Sequence, residues 1–202
     1  MHIPDGVLSE PVVATGIFAT GAIAAYAVYK TKSGELPKLS LLTGVFFVVS
    51  LVSLPLPGPT CVHPMLAAFL GILLGSKAVI AVLVGLGLQA FLLQYGGITT
   101  LGINTLLVTV PAIIGAQVFY LGNRYTFSVF GRGAISGFIA TMLVGVFLAF
   151  VMYFSDERYG EGYFSLVNII LLTHFVLAVI EALVTGFAAR YIEKARPSLL
   201  RR

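Results

Sequence analysis

Seven stretches of this chain carry almost no charge, and they set its outline. Apolar residues dominate about 8–29, 39–56, 62–76, 78–95, 104–121, 132–154 and 165–191. Several run close to the roughly twenty residues that a helix needs to cross the hydrocarbon of a bilayer. The pattern predicts an all-α, polytopic membrane protein with seven transmembrane helices, forming a single integral membrane domain over residues 1–202. The third stretch is short and begins inside Leu54-Pro55-Leu56-Pro57-Gly58-Pro59-Thr60. Interrupted segments of this kind often build the binding site of a transporter rather than merely span the bilayer.

The polar positions between the stretches set the orientation. With the N-terminus outside, the inner loops collect Lys30, Lys32, Lys38, Lys77, Arg124 and Arg132. The tail adds Arg190, Lys194, Arg196, Arg201 and Arg202, and only Arg158 falls outside. That asymmetry follows the positive-inside rule and predicts an outer N-terminus and a cytoplasmic C-terminus in a cell membrane. A six-helix arrangement would put the basic tail and the first basic loop on opposite sides.

Composition sharpens the picture. The chain is 58% hydrophobic and 10% charged, with mean hydropathy +1.02, whereas soluble domains average about 25% charged. The net charge of +4 comes from residues near helix ends, without an aromatic-interleaved basic patch, which excludes a nucleic-acid role. Cys61, the one cysteine, excludes an intrachain disulfide and a cysteine-rich metal site. No G-x-x-x-x-G-K-[ST] loop is present, Gly75-Ser76-Lys77 having the wrong order, and no H-E-x-x-H motif or Ser/His/Asp set appears. The chain is therefore expected not to be an enzyme and to lack an ATPase site of its own.

The candidate chemistry begins at Met1-His2-Ile3-Pro4-Asp5-Gly6. With His at position two, the free α-amine, the His2 backbone nitrogen and the His2 ring nitrogen can close on one metal as two fused chelate rings. The bulky His2 favours keeping the initiator Met. Pro4 has no N–H and cannot extend the donor series, and Asp5-Gly6 reads as a turn. His63 follows the stiff run Pro57-Gly58-Pro59-Thr60-Cys61-Val62 and offers a fourth nitrogen. Four nitrogens suit late divalent metals with planar preferences, Ni(II) or Cu(II), with Co(II) accommodated at a changed coordination number. Zinc, which favours a tetrahedron, fits a fused planar chelate poorly.

Further polar residues surround these. Glu181 lies seven residues after His174, on the same helix face. Buried ionisable groups in membranes are functional candidates, although pairing Glu181 with His174 or a packing hydroxyl is an equal alternative. Gln89, Gln94 and Asn104 serve either as donors behind the metal ligands or as links between helices. Asp5, Glu10, Asp156, Glu157 and Glu161 give the outer face an acidic bias that raises local cation concentration. The small-residue run Thr15-Gly16, Ala19-Thr20-Gly21-Ala22 and Ala24-Ala25 packs inside the fold or against another subunit.

Four of these stretches together resemble the CbiM/NikM family: Met1-His2-Ile3-Pro4-Asp5-Gly6; residues 57–63; Gly96-Gly97-Ile98-Thr99-Thr100-Leu101-Gly102-Ile103-Asn104; and His174-Phe175-Val176-Leu177-Ala178-Val179-Ile180-Glu181. That family comprises the substrate-binding membrane components of energy-coupling-factor transporters for cobalt and nickel. The resemblance runs to about Pro197. It implies seven helices, one more than is usual in such components. It implies Met1, His2 and His63 as metal ligands; Asp5, Asn104, His174 and Glu181 are the candidates, read from the residues themselves, for supporting groups behind them. It also implies partners: a transmembrane coupling subunit, ATP-binding subunits and often a small accessory membrane protein. Co(II) or Ni(II) would be the transported ligand, with no prosthetic group. Where many relatives read T-S-G-H, this chain has Thr60-Cys61-Val62-His63, and their His-x-Pro is His174-Phe175-Val176 here. The rival reading is an autonomous secondary carrier or channel for divalent metals, which would need Glu181 for proton coupling.

Overall fold

Each apolar stretch contributes one α-helix: α1 Glu10–Tyr29, α2 Leu36–Val49, α3 Ala67–Leu74, α4 Ala78–Leu93, α5 Leu101–Leu121, α6 Val129–Ser155 and α7 Leu166–Ala195. The computed structural model describes residues 3–52, 54–55, 61–125, 127–156 and 165–200, with backbone alone at 54–55 and 61–62. Helix starts follow local chemistry. Prolines stand in the first turns of α1 and α2, where no N–H is missed. Ser128 and Ser165 cap α6 and α7 by accepting from the Gly131 and Asn168 amides.

Five helical stretches among the described residues are long and apolar enough to cross a membrane: Glu10–Tyr29, Ala67–Leu93, Leu101–Arg124, Val129–Ser155 and Leu166–Ala195. Their outward faces are apolar, with Phe18, Phe91, Phe150 and Leu172 exposed. Gln89, Asn104, His174 and Glu181 lie buried. Polar inside and greasy outside is the arrangement a bilayer solvent rewards.

The second and third stretches depart from expectation. Helix α2 ends at Val49 rather than near residue 56, and the Ser50 hydroxyl donates back to the Phe46 carbonyl. Helix α3 begins at Ala67 rather than 62, because the backbone first forms a two-residue antiparallel ladder, Leu54 opposite Val62 and Pro55 opposite Cys61. His63 then precedes Pro64, which disfavours helical backbone. The eight residues of α3 reach only about 12 Å. At Gly75 (φ 62°, ψ −133°) the helix breaks and the chain reverses. Helix α3 arrives there from Glu181 in the interior, and α4 departs toward Ser50 at the far end of α2.

Small residues let these elements approach. A Cβ on Gly71 of α3 would stand 1.8 Å from the Ala112 carbonyl oxygen of α5. The α6–α7 interface is the most extensive in the fold, and Gly133, Gly137 and Gly145 of α6 lie against Thr185, Glu181 and His174 of α7. The small-residue run of α1 divides: Gly16, Thr20 and Ala24 are buried, with the Thr20 hydroxyl donating to the Gly102 carbonyl at 2.7 Å, whereas Gly21, Ala22 and Ala25 are exposed. Gly71→Ala should therefore cost about 1–3 kcal/mol by forcing α3 off α5. Gly44→Ala, whose new methyl meets nothing within 4 Å, should be neutral or stabilising by up to about 1 kcal/mol. Unfolding in detergent measures both, and equal effects would contradict this packing.

Candidate functional site

Residues 3–5 have no regular secondary structure, yet they are tightly held. The Asn104 side chain, on the first turn of α5, accepts from the Ile3 N–H and donates to the Ile3 carbonyl, both at 3.0 Å. The Thr100 hydroxyl also donates to that carbonyl, at 2.6 Å. One oxygen of Asp5 accepts from the Ile98 amide at 3.1 Å, and the other from the Thr99 amide at 2.9 Å and the Thr99 hydroxyl. The Thr99 hydroxyl, with these amides, holds the Asp5 carboxyl below its usual pKa. Gly97 permits the approach, since a Cβ there would lie 2.1 Å from Asp5 Oδ1. The Ile3 side chain is buried with Leu8, Ile103, Leu107, Leu148, Met152 and Ile170.

A second segment is held from α7. Glu181 Oε1 accepts from the amides of Met65 and, at 2.9 Å, Leu66, while Oε2 accepts from the Thr141 hydroxyl of α6 at 3.1 Å. Glu181 thus caps the start of α3, where the macrodipole favours a carboxyl group. Leu66 sits there in the left-handed region at φ 48°, a conformation that persists only when its surroundings enforce it. Two residues before Met65 stands His63, only 3% exposed. Burial lowers the His63 pKa, opposed by the Val52 and Ser50 carbonyls beside its ring. Burial thus favours the neutral ring, the form that binds metals. Because the folded value lies below the free one, this burial costs stability as pH falls below about 6.5.

One loop touches both segments. Tyr95, which follows the left-handed Gln94 (φ 54°) at the end of α4, meets the His63 ring edge-on at a centroid distance of 5.4 Å. Ile98 and Thr99, a few residues on, hold Asp5. Residues 94–104 therefore link the N-terminal segment to His63.

Met1 and His2 lie outside the described residues. Among the described residues His174 bonds to neither segment: its Nδ1 donates to the Ile170 carbonyl of its own helix at 2.8 Å, and its ring packs on Gly145. Of the two structural pairings open to Glu181, the one formed is with a packing hydroxyl, that of Thr141. Among the described residues no group of three or more His, Cys, Asp or Glu could hold a metal ion.

Residues 2–199 match the family described as CbiM, the cobalt uptake substrate-specific transmembrane region. The chain belongs to the CbiM family. This CbiM-family chain is 34% identical over 209 residues to a putative metal transport protein of Haloquadratum walsbyi, covering 99% of the chain and 93% of the relative. It is 29% identical over 203 residues to a putative fused nickel transport protein, NikMN, of Archaeoglobus fulgidus, covering 99% and 68%. A crystal structure of a transition metal transporter shares the fold, with TM-score 0.85 at 24% identity, covering 96% of this chain and 93% of that one. Family membership and the five apolar stretches make the CbiM-family chain a multi-pass membrane protein of a transport family.

Sequence reasoning singled out Asp5, Asn104 and Glu181 but missed Thr99, Thr100, Tyr95 and Thr141. Thr99-Thr100 stand inside the Gly96–Asn104 motif of this CbiM-family chain, which was the available signal; Thr141 had none. Asn104→Leu should leave the buried Ile3 amide without its acceptor, at about 1–3 kcal/mol. Amide hydrogen exchange at Ile3 and Asp5 should accelerate, while α6 amides stay protected. Unchanged protection at Ile3 would show that the clamp is not what holds the segment.

Proposed function

We propose that this chain is the substrate-capture subunit of an ATP-driven energy-coupling-factor importer for cobalt or nickel ions. The metal is held by the Met1 amine, the His2 backbone and ring nitrogens, and His63. The observation that carries this reading is the convergence of two immobilised segments on one loop. Asn104 and Thr100 fix Ile3, the residue after His2, and Tyr95, in the loop that leads to them, packs on His63. Preorganised donors strip water from an incoming ion without a fresh ordering cost, as rigidly supported sites do. Asp5, Asn104 and Glu181 act behind the ligands by holding the backbone that carries them.

In this proposal the chain crosses the cell membrane seven times, with the N-terminus outside and the C-terminus cytoplasmic. A transmembrane coupling subunit and ATP-binding subunits drive release, often with a small accessory membrane protein. Relatives support the metal class, since those similar over nearly the whole chain include nickel and cobalt transport proteins by name. Glu181 speaks against an autonomous proton-coupled carrier: it is 1% exposed and engaged by Met65, Leu66 and Thr141.

Titration of the purified full chain with Ni(II) and Co(II) tests the ligand set. His63→Ala should abolish high-affinity binding. Glu181→Gln, which keeps an oxygen for the Met65 and Leu66 amides, should bind within a few-fold of wild type. Glu181→Leu should weaken binding by about 10–100-fold, as loss of supporting groups does. Wild-type affinity in His63→Ala would remove His63 from the site. Loss of metal in Glu181→Gln would make the carboxylate itself a ligand or a coupling group.

A further inference from the structure

We propose that Gln89 is a positioning residue for the metal site, fixing from two sides the surroundings that orient the His63 ring. The inference rests on the proposed role of His63 as a ligand. Gln89, on α4, is fully buried. Its Nε2 donates to Ser50 Oγ at 2.7 Å and to the Phe47 carbonyl at 3.2 Å. Ser50, itself fully buried, donates its hydroxyl to the Phe46 carbonyl at 2.6 Å, so that oxygen is turned to accept from Gln89. The carboxamide thereby ties down the last turn of α2. Just beyond it, the Ser50 and Val52 carbonyls lie beside the His63 ring.

The main chain of Gln89 makes the second link. Its carbonyl accepts from the Tyr95 N–H at 3.2 Å, and the Tyr95 ring meets His63 edge-on. A neutral imidazole has a single N–H. Committing it to a fixed carbonyl sets the tautomer and the ring angle, and so aims the other nitrogen. Among the described residues, Gln89 Oε1 is buried without a hydrogen-bond partner. A residue present only to pack α4 on α2 would be apolar, since a buried unpaired amide oxygen is a cost. The donors of Gln89 are what that cost supports.

The experiment uses the full chain in detergent, titrated separately with Ni(II) and Co(II), and reads affinity together with the visible d–d absorption of the bound ion. Gln89→Met, of similar length without hydrogen bonds, should bind about 10–100-fold more weakly and move the absorption band. Ser50→Ala should move the band in the same direction by less. Gly85→Ala is the packing control, since its new methyl would stand 2.5 Å from the Phe46 ring of α2. It should lower thermal stability and leave the band in place. A wild-type band and affinity in Gln89→Met would overturn the inference, as would a Gly85→Ala variant that reproduces its effect. Should Gln89→Met fail to fold, Ser50→Ala decides, and an unmoved band there overturns it. His63→Ala runs in parallel. If it keeps wild-type affinity, the ligand set has failed and the inference with it. If it loses the metal while Gln89→Met does not, only the inference has failed.

Discussion

The Asn104 carboxamide bonds both the N–H and the C=O of Ile3, as a neighbouring β-strand would. A segment without secondary structure is ordinarily loose. Here it is made part of the bundle by a side chain that satisfies its backbone in both directions. Thr100 adds a second donor to the same carbonyl, and Asp5 is gripped by the amides of Ile98 and Thr99. The apolar Ile3 side chain supplies the burial. Whatever precedes Ile3 is therefore attached to a rigid base.

The other half of the candidate site depends on a different grip. Glu181 reaches from α7 to the amides of Met65 and Leu66, past a Thr141 hydroxyl on α6. That geometry needs α6 and α7 in close contact, which Gly137 and Gly145 permit. It also needs α3 to sit deep against α5, which Gly71 permits. Small residues decide how near the backbones come, and the near approach lets a few buried polar groups find their partners. The two grips meet at the loop before α5, residues 94–100, where Tyr95 touches His63 and Thr99 touches Asp5.

Much of this was legible in the chain. Uncharged apolar runs marked the places of the seven α-helices found among the described residues, five of whose stretches are long and apolar enough to cross a membrane. The limits of α2 and α3 were not legible, since hydropathy does not register a Pro-rich ladder or a left-handed Leu66. Asp5, Asn104 and Glu181 stood out as polar groups among apolar neighbours. Their partners did not, because backbone amides and threonines look ordinary until the fold brings them together. His174 shows the converse: conspicuous in sequence, it bonds to its own helix. The ligand set at Met1 and His2 rests on the chemistry of an amine beside an imidazole and on the family resemblance, with Ile3 as its nearest described support.

The most direct test of the central claim compares metal retention by the native N-terminus with a version carrying one extra residue before Met1. Both would be tagged at the C-terminus and loaded with Ni(II) and Co(II) in parallel. An added residue turns the amine into an amide and leaves the clamp at Ile3 untouched. The expected result is metal retained by the native form and lost from the extended one. Equal retention by both would contradict the account, because the ion would then be held without the amine.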